Sequence, residues 1–137
     1  MLVPIFHHYP QSPIAEKIRM TFGIMGLEWY SVQIPRIPPK PLLTPLTGGY
    51  RRTPVLQVGA DIFCDSQCIV FQLGKLKSEK VAYLSSNRAL ELILGSFGEN
   101  ILFKLTVRIV LTTSMGVAPE DFIKDRSSLY FEPGWTV

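Results

Sequence analysis

Cysteine, histidine and charge are all scarce in this chain. Of its 137 residues, two are cysteine, two are histidine, and 18 % are charged. Cys64 and Cys68 are separated by three residues and have no second pair of ligands, which argues against a zinc site and against a C-x-x-C motif. The adjacent His7 and His8 would face opposite sides of a strand, so they do not suggest a shared metal. We therefore expect no metal, and free thiols of the kind found in a reducing compartment.

Basic clusters and long apolar runs are also missing. The formal net charge is +3, but Lys and Arg are scattered and not interleaved with aromatic residues, so we expect no nucleic-acid partner. Residues 1–11 lack the basic start and the long apolar core of a signal peptide. Residues 101–111 are strongly apolar, but they carry Lys104 and Arg108 and are too short to span a bilayer. With 47 % apolar residues, the composition predicts a globular, cytoplasmic protein without a membrane partner.

The chain does contain a succession of clear local patterns. Residues 2–8 and 27–34 are apolar runs that predict strands. Between them, Ser12 and Pro13 are typical of a helix N-cap followed by proline at the first helical position, and Gly26 is typical of a helix end. The first third of the chain is therefore predicted to form a strand, a helix and a second strand.

A proline-rich connection and a hairpin follow. Residues 34–49 hold five prolines and two glycines, which predicts a long irregular segment. Apolar runs on either side of Gly59-Ala60 predict a hairpin with a two-residue type II′ turn. Asp65 or Ser66 then caps another helix. The order β-α-β-loop-β-β-α predicts an α/β domain.

Three short motifs at their mutual spacing carry a resemblance to a known family. The motifs are Ser12-Pro13 at the first helix, Thr53-Pro54 before the hairpin and Asp65-Ser66 after it. Together with the element order, they resemble the N-terminal, thioredoxin-like domain of glutathione S-transferases, in a bacterial-type subgroup. The resemblance implies an α/β thioredoxin-like, glutathione-binding domain over 1–78 and a partial helical C-terminal-like region over 85–137. Since the family's helical domain is longer, we expect an incomplete all-α segment and a truncated family member.

Ser12 is the candidate catalytic residue. The resemblance implies that its hydroxyl approaches the sulfur of glutathione, where a donor and a helix N-terminus favour the thiolate. The alternative is that Ser12 only caps the helix, and the two roles are compatible. Ser12 and Ala15 occupy the positions of a thioredoxin C-x-x-C motif, so we expect no dithiol exchange there.

Thr53 and Pro54 are candidate glutathione-binding residues. The resemblance implies a cis peptide bond between them, which turns the backbone N–H and C=O of Thr53 toward the cysteinyl backbone of glutathione. The alternative is an ordinary trans proline at the first position of a strand.

Asp65, Ser66 and one basic residue complete the candidate site. The resemblance implies that Ser66, at a helix N-terminus, binds the γ-glutamyl carboxylate. Asp65 stands where the family commonly has Glu or Gln, and it holds the ammonium less directly; the alternative is a plain N-cap. For the glycyl carboxylate the candidate is Lys40, with Arg51 and Arg52 as alternatives, and each could instead be a solvated surface charge.

The resemblance implies a detoxification enzyme that activates the thiol of glutathione, its co-substrate, for conjugation to a small apolar electrophile. One alternative is a non-catalytic module that binds glutathione or another ligand, or another protein. A second is a redox protein that acts through Cys64 or Cys68. Residues 88–113 are too apolar to face water alone, so we expect a homo-oligomer.

Overall fold

The protein is built from two units, one mixed and one helical. The structure, a computed structural model, describes residues 2–76, 87–113 and 116–130. The chain divides into Met1–Arg88 and Ala89–Val137. The expected domain limits at 78 and 85 fall outside the described residues. The first unit contains β1 (Ile5–His8), α1 (Pro13–Met25), β2 (Tyr30–Gln33), β3 (Val55–Val58), β4 (Asp61–Cys64) and α2 (Ser66–Leu76).

The four strands form one mixed sheet in the order β2-β1-β3-β4. β1 and β2 are parallel and joined through α1, whereas β1–β3 and β3–β4 are antiparallel. The two expected strands of the first third are each shorter than their apolar runs. Proline has no backbone N–H to give a ladder, and β1 begins directly after Pro4. The predicted order of elements and the α/β class are confirmed.

Both ends of α1 follow from local chemistry. Ser12 is the N-cap, its Oγ accepting a hydrogen bond from the backbone N–H of Ala15 at 3.1 Å, and Pro13 occupies the first turn. At the other end Gly26 adopts φ 58, a left-handed conformation that glycine tolerates best, and its N–H donates back into the last turn. The face turned inward consists of Ala15, Ile18, Phe22 and Met25.

Aromatic rings form the centre of the core between the sheet and the two helices. Phe6 of β1 meets Phe22 of α1 and Trp29 edge to face, each with ring centroids 5.5 Å apart. Phe22 and Trp29 stack at 5.2 Å. Leu56, Ile69 and Leu73 are also fully buried, and they join β3 and α2 to the same cluster. Each such side chain contributes roughly 1.5–3 kcal/mol through removal from water.

The segment between Gln33 and Val55 forms turns without a helix or strand, as predicted. It is nevertheless anchored, because Leu43 and Lys40 are 2 % and 6 % exposed. Both residues line a cavity together with His7 and Val32 of the sheet. The connection therefore packs over one face of the sheet.

The second unit is helical throughout its described part. It contains α3 (Arg88–Ser96), a π-helical stretch (Phe97–Leu102), α4 (Phe103–Thr113) and α5 (Glu120–Tyr130). The rings of Phe103 and Tyr130 meet edge to face at 5.6 Å, which joins α4 to α5. Within 89–113 and 116–130 Leu111 is the one buried hydrophobic residue, and many apolar side chains of α3 and α4 are exposed. None of the described helices is long and apolar enough to cross a membrane.

The β3–β4 turn supplies a test of the backbone. Gly59 has φ 62, and a Cβ there would lie 3.2 Å from Cδ1 of Leu2. Leu2 is exposed and can move, so backbone strain of roughly 1–2 kcal/mol should dominate the effect of Gly59→Ala. The matched variant is Gly23→Ala in α1, where nothing lies within 4 Å and alanine should stabilise the helix by about 1 kcal/mol. Measured by urea denaturation, the free energy of unfolding should fall in Gly59→Ala and rise in Gly23→Ala. An unchanged free energy of unfolding in Gly59→Ala would contradict this turn geometry.

Candidate functional site

Three strand ends meet at one edge of the sheet. His7 of β1 pairs with Val55 of β3, and Val55 pairs with Cys64 of β4. Because these pairings are antiparallel, the carboxyl ends of β1 and β4 lie beside the amino end of β3. This edge collects the predicted site residues: Ser12 after β1, Thr53 and Pro54 before β3, and Asp65 and Ser66 after β4. Lys40 joins them through a contact with Thr53.

The Ser12 hydroxyl is buried and oriented by its own helix. The side chain is 3 % exposed, and Oγ accepts the N–H of Ala15. Its role as a helix cap is therefore observed. A hydroxyl can accept one hydrogen bond and still donate its own hydrogen, so capping leaves a donor at the start of α1.

The turn that leads to Ser12 is held by Arg19. Its guanidinium donates to the carbonyls of Tyr9 at 3.5 Å and Pro10 at 2.9 Å, and it also pairs with Glu16. The same group donates to Nδ1 of His8 at 2.9 Å. Four polar groups thus meet around one cation.

His8 is a neutral acceptor in this cluster. Its Nε2 lies 2.8 Å from the hydroxyl of Ser31, and its ring stacks on Phe6. Burial, followed by the positive charge of Arg19, lowers the pKa of His8 below its usual value of 6.5. With Nδ1 accepting from Arg19, the hydrogen sits on Nε2 and is donated to Ser31.

Thr53 and Pro54 are joined by a cis peptide bond, as the resemblance implied. The ammonium of Lys40 donates to Oγ1 of Thr53 at 3.1 Å and to the carbonyl oxygen of Arg51 at 3.0 Å. Lys40 is buried, so the alternative of a solvated surface charge is wrong for this residue. The side chains of Arg51 and Arg52 are exposed.

Asp65 caps α2. It has φ 73, and Oδ1 accepts the backbone N–H of Gln67 at 2.9 Å and of Cys68 at 3.4 Å. The helix amides that could have met a ligand carboxylate are thus partly used by the chain itself. Ser66, the next residue, is 3 % exposed and its Oγ accepts from Nζ of Lys17 at 3.2 Å.

Two residues at this edge were missed by reasoning from the sequence. Lys17 reaches Ser66 across α1 and α2, but in the sequence it is one more lysine on the polar face of a helix. Tyr50 lies in the turn-rich connection, close enough to Asp65 for the two side chains to interact electrostatically. Burial, and then the charges of Asp65 and Cys64, raises the pKa of Tyr50. Nothing in the local sequence signals either contact, because both depend on tertiary structure.

The Cys64 thiol beside this edge is poorly suited to redox chemistry. Cys64 and Cys68 are both free. Burial, and then the proximity of Cys68 and Asp65, raises the pKa of the Cys64 thiol, which lowers its thiolate fraction at neutral pH. Among the residues that the structure describes, no group of three His, Cys, Asp or Glu side chains could hold a metal ion.

The edge is rich in hydrogen-bond donors and positive charge. Two helices begin there, Ser12 and Ser66 contribute hydroxyl groups, and the ammonium groups of Lys17 and Lys40 lie within hydrogen-bond distance of site residues. Helix N-termini and ammonium groups favour anions. The arrangement suits a small ligand with carboxylate groups and a backbone of its own.

Comparison with known proteins agrees with this geometry. The model of the glutathione S-transferase N-terminal domain matches residues 6–80. No curated protein sequence matches the chain significantly.

Solved structures extend the likeness to the helices. A GST-like protein from Pseudomonas syringae is 38 % identical, with a TM-score of 0.68 over 95 % of this chain and 46 % of its own. Two structures with bound glutathione are similar in fold alone. The Drosophila mojavensis glutathione transferase homologue is 16 % identical (TM-score 0.69), and the theta class enzyme of Xanthomonas axonopodis pv. citri is 17 % identical (TM-score 0.67). Each covers 95 % of this chain, which spans 64 % and 66 % of their respective lengths.

The expected α/β architecture, a thioredoxin-like domain followed by helices, is confirmed by the family match and by these structures. The matched domain accounts for more than half of the sequence. The chain belongs to the glutathione S-transferase family.

Proposed function

We propose that the protein binds glutathione at the edge where β1 and β4 end and β3 begins. The observation that carries this proposal is the strand register, which brings Ser12, Thr53 and Asp65-Ser66 to one edge. Structural relatives in the same fold hold glutathione. The family resemblance assigns the peptide backbone to Thr53 and Pro54, and the γ-glutamyl end to Asp65 and Ser66.

The charges at this edge support that orientation. Lys17 bonds to Ser66, so a γ-glutamyl carboxylate at Ser66 would meet an ammonium group as well as a hydroxyl. Oδ1 of Asp65 is used in capping, and no hydrogen bond to Oδ2 is found within residues 2–76, 87–113 and 116–130. That oxygen suits the γ-glutamyl ammonium.

Lys40 is proposed to serve the glycyl carboxylate. Its buried ammonium lies beside Thr53, where a ligand carboxylate would offset the cost of keeping a cation away from water. The same ammonium holds the carbonyl of Arg51, so it also fixes the segment that presents Thr53.

Ser12 is proposed to activate the bound thiol. Its oriented hydroxyl and the N-terminus of α1 both stabilise a sulfur anion, which makes glutathione the better nucleophile. The reaction is conjugation to a small apolar electrophile, as in detoxifying transferases. The thiol loses its proton to water, and the thiolate sulfur forms a bond to the electrophilic carbon. In a substitution the leaving group departs with its bonding electrons; in an addition the π electrons of the double bond move to the neighbouring atom, which then takes up a proton from water.

A second candidate function is glutathione or ligand binding without turnover. It is favoured by the engagement of Ser12 Oγ as a helix cap. Both candidates share the binding site and differ at Ser12. We further propose a cytoplasmic homo-oligomer.

Binding is tested by calorimetric titration with glutathione. Ser66→Ala should weaken binding by roughly 1–2 kcal/mol, the scale of a hydrogen bond to a charged group. Lys17→Met should act in the same direction, because it removes the cation bonded to Ser66. The matched controls are Ser128→Ala in α5 and Lys75→Met at the end of α2, which should bind as the wild type does. Unchanged affinity in Ser66→Ala would exclude its carboxylate role.

Thiol activation is tested by an ultraviolet titration of bound glutathione. Ser12→Gly keeps most of the helix-capping stability, since glycine costs only a few tenths of a kcal/mol at an N-cap, but it removes the hydroxyl. The pKa of the bound thiol should rise in Ser12→Gly, with affinity little changed, whereas Ser12→Thr should retain the lower pKa. Superimposable curves for Ser12→Gly and the wild type would reduce Ser12 to a helix cap and favour the non-catalytic function.

Self-association is tested by sedimentation at low micromolar concentration. Ile93 and Ile109, on α3 and α4, are 65 % and 66 % exposed, and exposed apolar surface of this kind marks interfaces. The wild type should sediment as a dimer or larger species. Ile109→Glu should shift it toward monomer, whereas Thr112→Glu, at an exposed polar position of the same helix, should not. A wild type that is monomeric throughout the range would overturn the proposal.

A further inference from the structure

The cavity described above lies between one face of the sheet and the proline-rich connection. Its volume is about 240 Å³. The sheet contributes His7 and Val32, and the connection contributes Leu43 and Leu46. Leu43 is buried and Leu46 is 44 % exposed, so the cavity has an apolar wall and an accessible side. It uses none of Ser12, Thr53, Asp65 and Ser66.

His7 is the polar group of this cavity, and its hydrogen-bonding state follows from its neighbours. The amide Nε2 of Gln57 donates to the carbonyl of Gly59 at 3.1 Å, which fixes the orientation of that amide. Its Oε1 therefore accepts from Nε2 of His7 at 3.2 Å. In the neutral ring the hydrogen is then on Nε2, and Nδ1 is an acceptor.

Nδ1 of His7 makes no hydrogen bond to any residue of 2–76, 87–113 or 116–130. The side chain is 7 % exposed as a whole, yet Nδ1 is not among the fully buried unpaired atoms of the described residues, so it is within reach of a small molecule. A ligand donor in the cavity would give this acceptor a hydrogen bond in place of one to water. Lys40 also lines the cavity, but its ammonium is bonded to the segment before β3.

Size limits the ligand to about one ring. An apolar cavity of about 150 Å³ holds benzene, whereas drug-sized ligands occupy about 300–1,000 Å³. At about 240 Å³ this cavity lies between the two. We propose that it binds a small aromatic molecule with one hydrogen-bond donor, such as a phenol, whose hydroxyl donates to Nδ1 of His7 while its ring packs on Val32, Leu43 and Leu46.

The test compares p-cresol with toluene, which has a similar shape but no donor. Binding is followed by NMR through the His7 ring and the methyl groups of Val32, Leu43 and Leu46. We expect p-cresol to shift these resonances and to bind roughly 2- to 12-fold more tightly than toluene, the range of one hydrogen bond. Equal affinity of the two ligands, or shifts confined to residues outside the cavity, would overturn the proposal.

Two variants test the hydrogen bond to His7 and the occupation of the cavity separately. His7→Phe removes the acceptor, so p-cresol should bind no better than toluene. Leu46→Trp fills the cavity from an exposed position that should not disturb folding, and it should abolish binding of both ligands. If His7→Phe does not fold, Leu46→Trp decides alone: undiminished p-cresol binding in that variant would contradict the assignment.

Discussion

The burial of β1 on both faces is the constraint on which the first unit depends. Phe6 is fully buried against α1 and Trp29, while His7, one residue along, is 7 % exposed on the other face. β2 and β3 take up its two hydrogen-bonding edges. With its faces and edges all occupied, the strand has one register, and a shift by one residue would exchange an aromatic ring for an imidazole. That register determines where β1 ends. It therefore also determines the position of Ser12, which follows β1 in the chain.

Short local signals were sufficient to predict much of this architecture. Ser12 as the N-cap, the proline after it and Gly26 at the end predict where α1 begins and ends. The structure shows all three in these positions. Gly59 in a two-residue turn has the positive φ that the hairpin prediction required. The cis bond before Pro54 could not be predicted from its neighbours, since a trans bond is locally the more common state; it required the family resemblance.

The candidate site was harder to predict, because it is held by contacts between distant segments. Lys40 could have been a surface charge, and its burial beside Thr53 depends on how the irregular connection folds back. Lys17 and Tyr50 reach Ser66 and Asp65 only once α1, α2 and the connection are assembled. The sequence allows the Asp65 side chain either to cap α2 or to contact a ligand. In the structure its Oδ1 caps the helix. Side chains whose partners lie far along the chain leave no periodic signal for sequence reasoning to detect.

The proline-rich connection has a consequence for the unfolded state. Proline restricts φ in the unfolded chain as well as in the folded one, so residues 34–49, with five prolines, have fewer conformations to lose on folding than an ordinary loop of that length. Two buried anchors, Lys40 and Leu43, can then order a long segment that has no helix or strand of its own. Exchanging these prolines for flexible residues would weaken that order through the unfolded ensemble, without removing any side-chain hydrogen bond from the folded protein.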